Sequence, residues 1–510
     1  MTVHAALLAT FALLASVALL ASVPAFASEP VWTHRADAKI EWIEVALTGE
    51  VVVATTRSVS LLDGATGATK WTRPGWKRLV RFVDGSRRTL GAYSDSAKDL
   101  RIVDPETAAV RWSVRDADWK SWTTLPCHAA GLLLVAGVPA GGGTSLAAFE
   151  LDSGAERWRR ADFFTAADVK PKEAEKREDF GGVFRYSRDS DSTILVWSRG
   201  GSLARVALGT GSTIWAVPGF KAKFPKSYED GSDFTIGHGA IVFAADKDLL
   251  ALDAETGADR WRREKALPGK LGTVLTFGSG YLALGEGLRY LVPLGAGDGA
   301  ALWAEPYKKV KDATALGSTG DTLWIARSDA LYRLDPKTGA EALEARLPFR
   351  GDEAPSRITA KPDGLLLRSP QNIVRLERGG AVRYARFYEA PGVGFLQGLA
   401  GVALGVASIA GGIAVGSPTL AGSVLGGATI PMLAARYGTE AQAREHAYFY
   451  TQSPDSAGRT GFNLVRIETE HGTETGRIWL DHRNPDYRID DPSGMVFVRA
   501  EDAVLRAYKY

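Results

Sequence analysis

Leu62-Asp63-Gly64-Ala65-Thr66-Gly67-Ala68-Thr69-Lys70-Trp71 decides the fold, because it returns as Leu252-Asp253-Ala254-Glu255-Thr256-Gly257-Ala258-Asp259-Arg260-Trp261. An apolar residue precedes Asp-x-x-Thr-Gly, and a tryptophan follows the glycine after three residues. Leu334-Asp335 with Thr338-Gly339 is a third copy, in which Leu343 stands where the tryptophan would be. Degenerate copies fill the intervals. Asp104, Thr107 and Trp112 lack the glycine, while Glu150, Ser153-Gly154 and Trp158 keep the shape with altered polar groups. Thr210-Gly211 with Trp215, and Gly299 with Trp303, keep only the second half. Gly380 with Tyr384, and Thr475-Gly476 with Trp479, continue the series. The period is about 40 to 46 residues, the length of four short strands with their turns.

Each position of the phrase has a physical task. Stretches such as Val51-Val52-Val53-Ala54 and Val59-Ser60-Leu61-Leu62 read as short strands joined by tight turns. The aspartate can bond the amides of the turn that follows it, and glycine supplies positive φ there without a steric cost. The tryptophan then falls on the next strand, where its broad apolar face can pack on a neighbouring unit. A four-stranded sheet cannot cover its own faces, whereas radial stacking of such sheets can. The reading is therefore all-β: a single-ring β-propeller of about eight to ten four-stranded blades. Val31-Trp32-Thr33-His34 supplies the tryptophan strand that the C-terminal Gly494–Tyr508 stretch lacks, so a blade shared by both ends is expected to close the ring.

The Leu-Asp-x-x-Thr-Gly-x-x-x-Trp phrase resembles the repeat of the PQQ-type propellers, over nearly all of the chain except residues 389–445. That group includes quinoprotein alcohol dehydrogenases and the scaffold propellers of outer-membrane assembly. The resemblance implies the fold; it does not choose between enzyme and scaffold.

Bulk properties narrow the choice. The 510 residues carry a net charge of +2, which gives none of the basic excess expected of a nucleic-acid binder. Ala5 to Leu20 is apolar and leads to Ala25-Phe26-Ala27, a small-x-small pattern, so residues 1–27 read as a secretory signal peptide. The chain is thus expected to be exported, to the periplasm or beyond. Cys127 is its single cysteine, which rules out an internal disulfide and reads as a buried core thiol. The expected organisation is blades over 28–388 and final blades over 446–510. Mixed charges over 165–180 read as a solvated loop.

Residues 389–445 break the pattern. No charged residue occurs from Ala390 to Ala435, and Pro391, Ser417-Pro418 and Pro431 punctuate the stretch. Phe395 to Gly416 is long enough to span a bilayer as a helix. Gly401/Gly405, Gly412/Gly416 and Gly422/Gly426 have the spacing that lets membrane helices approach. An inserted apolar helical hairpin is expected. Its candidate membrane or partner contacts are Phe395, Leu396, Leu399, Val402, Leu404, Val406, Ile409, Ile413, Val415, Leu420, Val424, Leu425, Ile430 and Leu433. Internal packing in water is the opposing reading, but glycine is costly in a water-exposed helix and so large an apolar patch is unusual on a monomer.

No catalytic set emerges. The seven histidines are scattered, with no His-x-x-x-His pair, and no nucleophile elbow or phosphate loop is present. Asp189-Ser190-Asp191 offers too few oxygens for a calcium loop. The adjacent cysteine pair that the resemblance implies for a quinoprotein dehydrogenase cannot be made from one cysteine. No cofactor and no metal are expected. The reading is a non-catalytic envelope scaffold that binds a protein partner; the alternative is a PQQ-dependent oxidoreductase.

Overall fold

The computed structural model describes residues 28–391 and 445–510, apart from 47–48, 77–80, 85–88, 95–98, 116–118, 142–144, 162–183, 189, 199–201, 219, 221–233, 246–247, 266, 270, 286–288, 455–457, 459 and 481–484. The expected signal peptide, the charged 165–180 loop and all fourteen candidate contact residues lie outside the described residues. Among the described residues, no helix is long and apolar enough to cross a membrane.

Ten antiparallel sheets follow one another along the described chain. The first nine span residues 40–74, 81–115, 119–161, 184–217, 234–263, 271–295, 315–346, 357–387 and 446–480. The tenth combines 486–509 with Trp32–Arg35, which pairs antiparallel with Val504–Lys509 in the register Thr33↔Arg506. Strands within a sheet are called a to d here in spatial order. In the first nine sheets this is also chain order, whereas in the tenth strand d is Trp32–Arg35. Four strands per sheet were expected, and two sheets depart from this. The sixth replaces strand d with two isolated bridges, Leu291↔Tyr307 and Leu294↔Ala301. The ninth has three described strands: His446–Pro454, Thr460–Glu468 and Glu474–Leu480.

Side-chain alternation explains how the sheets stack. Val51–Thr55 is buried along its whole length. Its odd and even residues face opposite ways. Val52 and Ala54 join a cluster with Val103 and Ala108 of the second sheet, while Val51 and Val53 join one with Met495 and Phe497 of the tenth. A strand covered on both faces reads as a continuous apolar run. Among the described residues there are ten such clusters, one for each neighbouring pair, the tenth sheet with the first included. Strands a lie toward the axis: Ala315–Thr319 touches Arg357–Lys361, and Phe234–Gly237 touches Leu271–Phe277. In five sheets strand d carries one buried aromatic among exposed residues, as in Asp259–Arg263.

Candidate functional site

The repeat phrase forms the turn between strands c and d. Asp253 N donates to Ala258 O and Gly257 N to Asp253 O, each at 2.8 Å. The Asp253 carboxylate accepts from Glu255 N, Thr256 N and Thr256 Oγ1 at 2.9 to 3.1 Å. These bonds hold its pKa below the usual carboxylate range, the Thr256 amide foremost. Asp63 and Asp335 make the same set. Gly257 sits at φ +71°, and the Trp215 ring of the preceding sheet lies against it, so an added Cβ would meet Trp215 Cδ2 at 2.6 Å. Trp215 Nε1 also donates to Ala254 O in the same turn.

This docking repeats around the molecule. Trp32 lies on Gly67, Trp112 on Gly154, Trp158 on Gly211, Trp261 on Gly299 and Trp303 on Gly339. Each indole donates to a backbone carbonyl of the turn it covers. In the second sheet Ala108, at φ +56°, fills the glycine slot beneath Trp71. Leu343 does not dock and is 52% exposed; there Glu344 O approaches Gly380 directly.

The ninth sheet corrects the sequence assignment. Its motif glycine is Gly472, at φ +69° under Tyr384, whose hydroxyl donates to Thr469 O at 2.6 Å. Thr475-Gly476 is part of the strand Glu474–Leu480, and Trp479 is not the docking residue. The docking position, four residues after Gly472, is Gly476, and the Tyr510 ring packs against it from the tenth sheet. Spacing from Gly472 would have found this, but Thr475-Gly476 imitates the motif more closely.

In four sheets the c–d turn bonds the a–b turn beside it, so the two lie on one face. Leu151 N bonds Gly131 O, Leu208 N bonds Ser192 O, Ala254 N bonds Gly239 O and Arg378 N bonds Asp363 O, at 2.8 to 3.0 Å. This turn face holds a charge cluster between the eighth and ninth sheets. Arg375, fully buried, pairs with Asp363 and lies 3.8 Å from Glu470. Arg383 reaches Asp363 at 2.5 Å and Glu470 at 2.7 Å. Burial lowers the Arg375 pKa, with Glu470 acting against it. Four such groups neutralise one another and tie Asn372–Glu377 of the eighth sheet to the 469–473 turn of the ninth.

Three histidines also contact neighbouring groups of the frame. His238 bonds Gly280 O at 3.0 Å, His446 contacts Asp491 at 3.0 Å, and His471 contacts Glu468 at 3.0 Å. Cys127 is fully buried in the core between the third and fourth sheets. Among the described residues, no group of three or more histidine, cysteine or acidic side chains is placed to hold a metal ion.

Repeat, docking and sheet order are those of a β-propeller, and its repeat resembles the PQQ-type phrase. Within it, residues 96–264 match the family model described as outer membrane protein assembly factor BamB. Among solved structures, BamB from Moraxella catarrhalis is 16% identical, with 70% of this chain and 99% of that one covered at a TM-score of 0.35. The computationally designed Ika8 protein is 11% identical, covering 71% and 98% at a TM-score of 0.32. Dihydro-heme d1 dehydrogenase NirN is 13% identical, covering 60% and 65% at 0.33. No curated protein matches the chain in sequence.

Proposed function

We propose that this chain is a non-catalytic scaffold propeller of the cell envelope, exported by its first 27 residues. It forms one closed ring of ten blades, presents its turn face to a protein partner, and attaches through residues 390–435 to a membrane or that partner. The observation that carries the reading is how the repeat spends its chemistry: the aspartates, threonines and indoles described above bond turns and neighbouring sheets. The turn residues left exposed, such as Glu255 and Lys337, are polar and suit contact with a protein surface. The match of residues 96–264 to an assembly-factor family supports the same class of role.

The test is photo-crosslinking from the exposed turn residues Glu255 and Lys337 in envelope preparations, with adducts identified by mass spectrometry. A defined envelope protein is expected at both positions; free chain at both would contradict the reading. PQQ with calcium is expected to leave tryptophan fluorescence unchanged. Saturable quenching with alcohol-dependent dye reduction would replace the scaffold by an oxidoreductase.

A further inference from the structure

We propose that Ser28–Arg35 is a clasp that gates removal of the leader: the peptide bond before Ser28 is open to a processing peptidase only while the clasp is off the ring, so cleavage comes before closure. The proposal deepens the export reading above and rests on it for the position of the cut.

The leaving nitrogen of that bond is the backbone N of Ser28. It donates to Trp479 O at 3.1 Å, and Ser28 Oγ accepts from Trp479 N at 3.0 Å. Trp479 lies in Glu474–Leu480, an edge strand whose other side pairs with Thr460–Glu468. An edge strand presents backbone N–H and C=O groups that need partners. Ser28 satisfies both groups of Trp479, as a residue of an added strand would. The chain then crosses to the next sheet. Val31 N donates to Ala507 O at 2.7 Å, Trp32–Arg35 pairs with 504–507, and Ala36 N donates to Ala503 O at 2.9 Å. Trp32 docks on Gly67, and its Nε1 donates to Gly64 O at 3.1 Å. One short stretch thus bonds the ninth, tenth and first sheets. It ties down the leaving side of the bond to be cut.

The chemistry of the cut needs that stretch free. Water adds to the carbonyl carbon of residue 27, the C–N bond breaks, and the nitrogen of Ser28 takes up the proton. A peptidase that holds its substrate as an extended strand uses the same backbone groups that the clasp gives to the ring. Cleavage of a folded chain then follows the population of the open form. Each bond at Ser28, with the indole dock behind it, lowers that population. Cleavage before closure has a second effect. The amide N–H of Ser28 becomes an ammonium, and a charged donor bonds a carbonyl such as Trp479 O more strongly than an amide does. The processed chain therefore closes more tightly than its precursor.

The test uses the full chain of 510 residues. It is diluted from urea into detergent micelles, either together with purified signal peptidase or with the peptidase added after refolding. Products are read by mass spectrometry. A cut between Ala27 and Ser28 is expected in the co-diluted chain, and cleavage about tenfold or more slower in the refolded one. Trp32→Ala removes the dock without touching the bond that is cut, and should bring the refolded rate within about threefold of the co-diluted rate. Ser28→Ala removes only the bond to Trp479 N. It should speed cleavage of the refolded chain about threefold, so the proposal stays testable if Trp32→Ala does not fold. Equal rates for the refolded and co-diluted natural chain overturn the gate and leave the export reading standing. Slow cleavage that neither variant relieves also overturns it. No cut before Ser28 in the co-diluted chain overturns the export reading, and the gate with it.

Discussion

A glycine beneath an indole is the smallest unit on which this molecule depends. Gly257 supplies both φ +71° and the space that the Trp215 ring occupies. Gly257→Ala is expected to cost about 2–4 kcal/mol, the sum of a strained backbone and a clash that the ring cannot relieve in a packed interface. Chemical denaturation checks this; an unchanged midpoint would mean that the docking contributes little. Asp104 gives a pH signature. Its bond to Arg111, with those from the Thr107 and Glu106 amides, holds its pKa down to about 2. A carboxylate depressed in the fold stabilises fully above its unfolded value near 4 and loses that contribution as pH falls toward 2. Asp104→Asn should therefore flatten the loss of stability between about pH 4 and pH 2, measured by denaturation at each pH. The Asp-x-x-Thr-Gly bonding was legible because it is local. Ala108 in the αL slot was not, since only its neighbours reveal that the turn persists without glycine.

At the scale of the element, the ninth sheet shows where sequence reading stops. Thr475-Gly476 resembles the motif better than Glu468-Thr469-Glu470-His471-Gly472 does, so pattern alone placed the turn four residues late. The true turn is defined by contacts from other sheets, Tyr384 on one side and Tyr510 on the other. Tyr510 fills the place an indole would take, with Arg466 4.8 Å from its ring centroid. Tyr510→Ala is expected to lower stability by about 2 kcal/mol or more, as loss of a packed aromatic does. Its absence should also raise hydrogen exchange in Glu474–Leu480 specifically. Uniform exchange across all sheets would assign Tyr510 a lesser place. The sixth sheet was equally opaque: Trp303 keeps its spacing, yet strand d is reduced to two bridges. The apolar break after residue 389 was plain from charge alone.

The proposed ring of ten sheets is only as stable as its seam. In nine of the sheets the chain is continuous; in the tenth, Trp32–Arg35 completes a sheet otherwise built from 486–509. Trp32 then docks on Gly67 of the first sheet, so the seam is held by the same contact as every other junction that keeps its indole. The sequence showed the missing tryptophan strand at one end and a spare one at the other. The number of blades was harder, because degenerate copies merge into one another without glycine or indole to mark them. A cross-strand disulfide measures the seam directly. Thr33 and Arg506 face each other across it. With Cys127→Ser as background, the Thr33→Cys, Arg506→Cys chain is expected to oxidise in the native state. It should migrate faster on non-reducing gels and melt at a higher temperature, because the crosslink restrains nearly the whole unfolded chain. Cysteines that stay reduced in the folded protein, or that pair only after denaturation, would show that the ring is not closed by its ends.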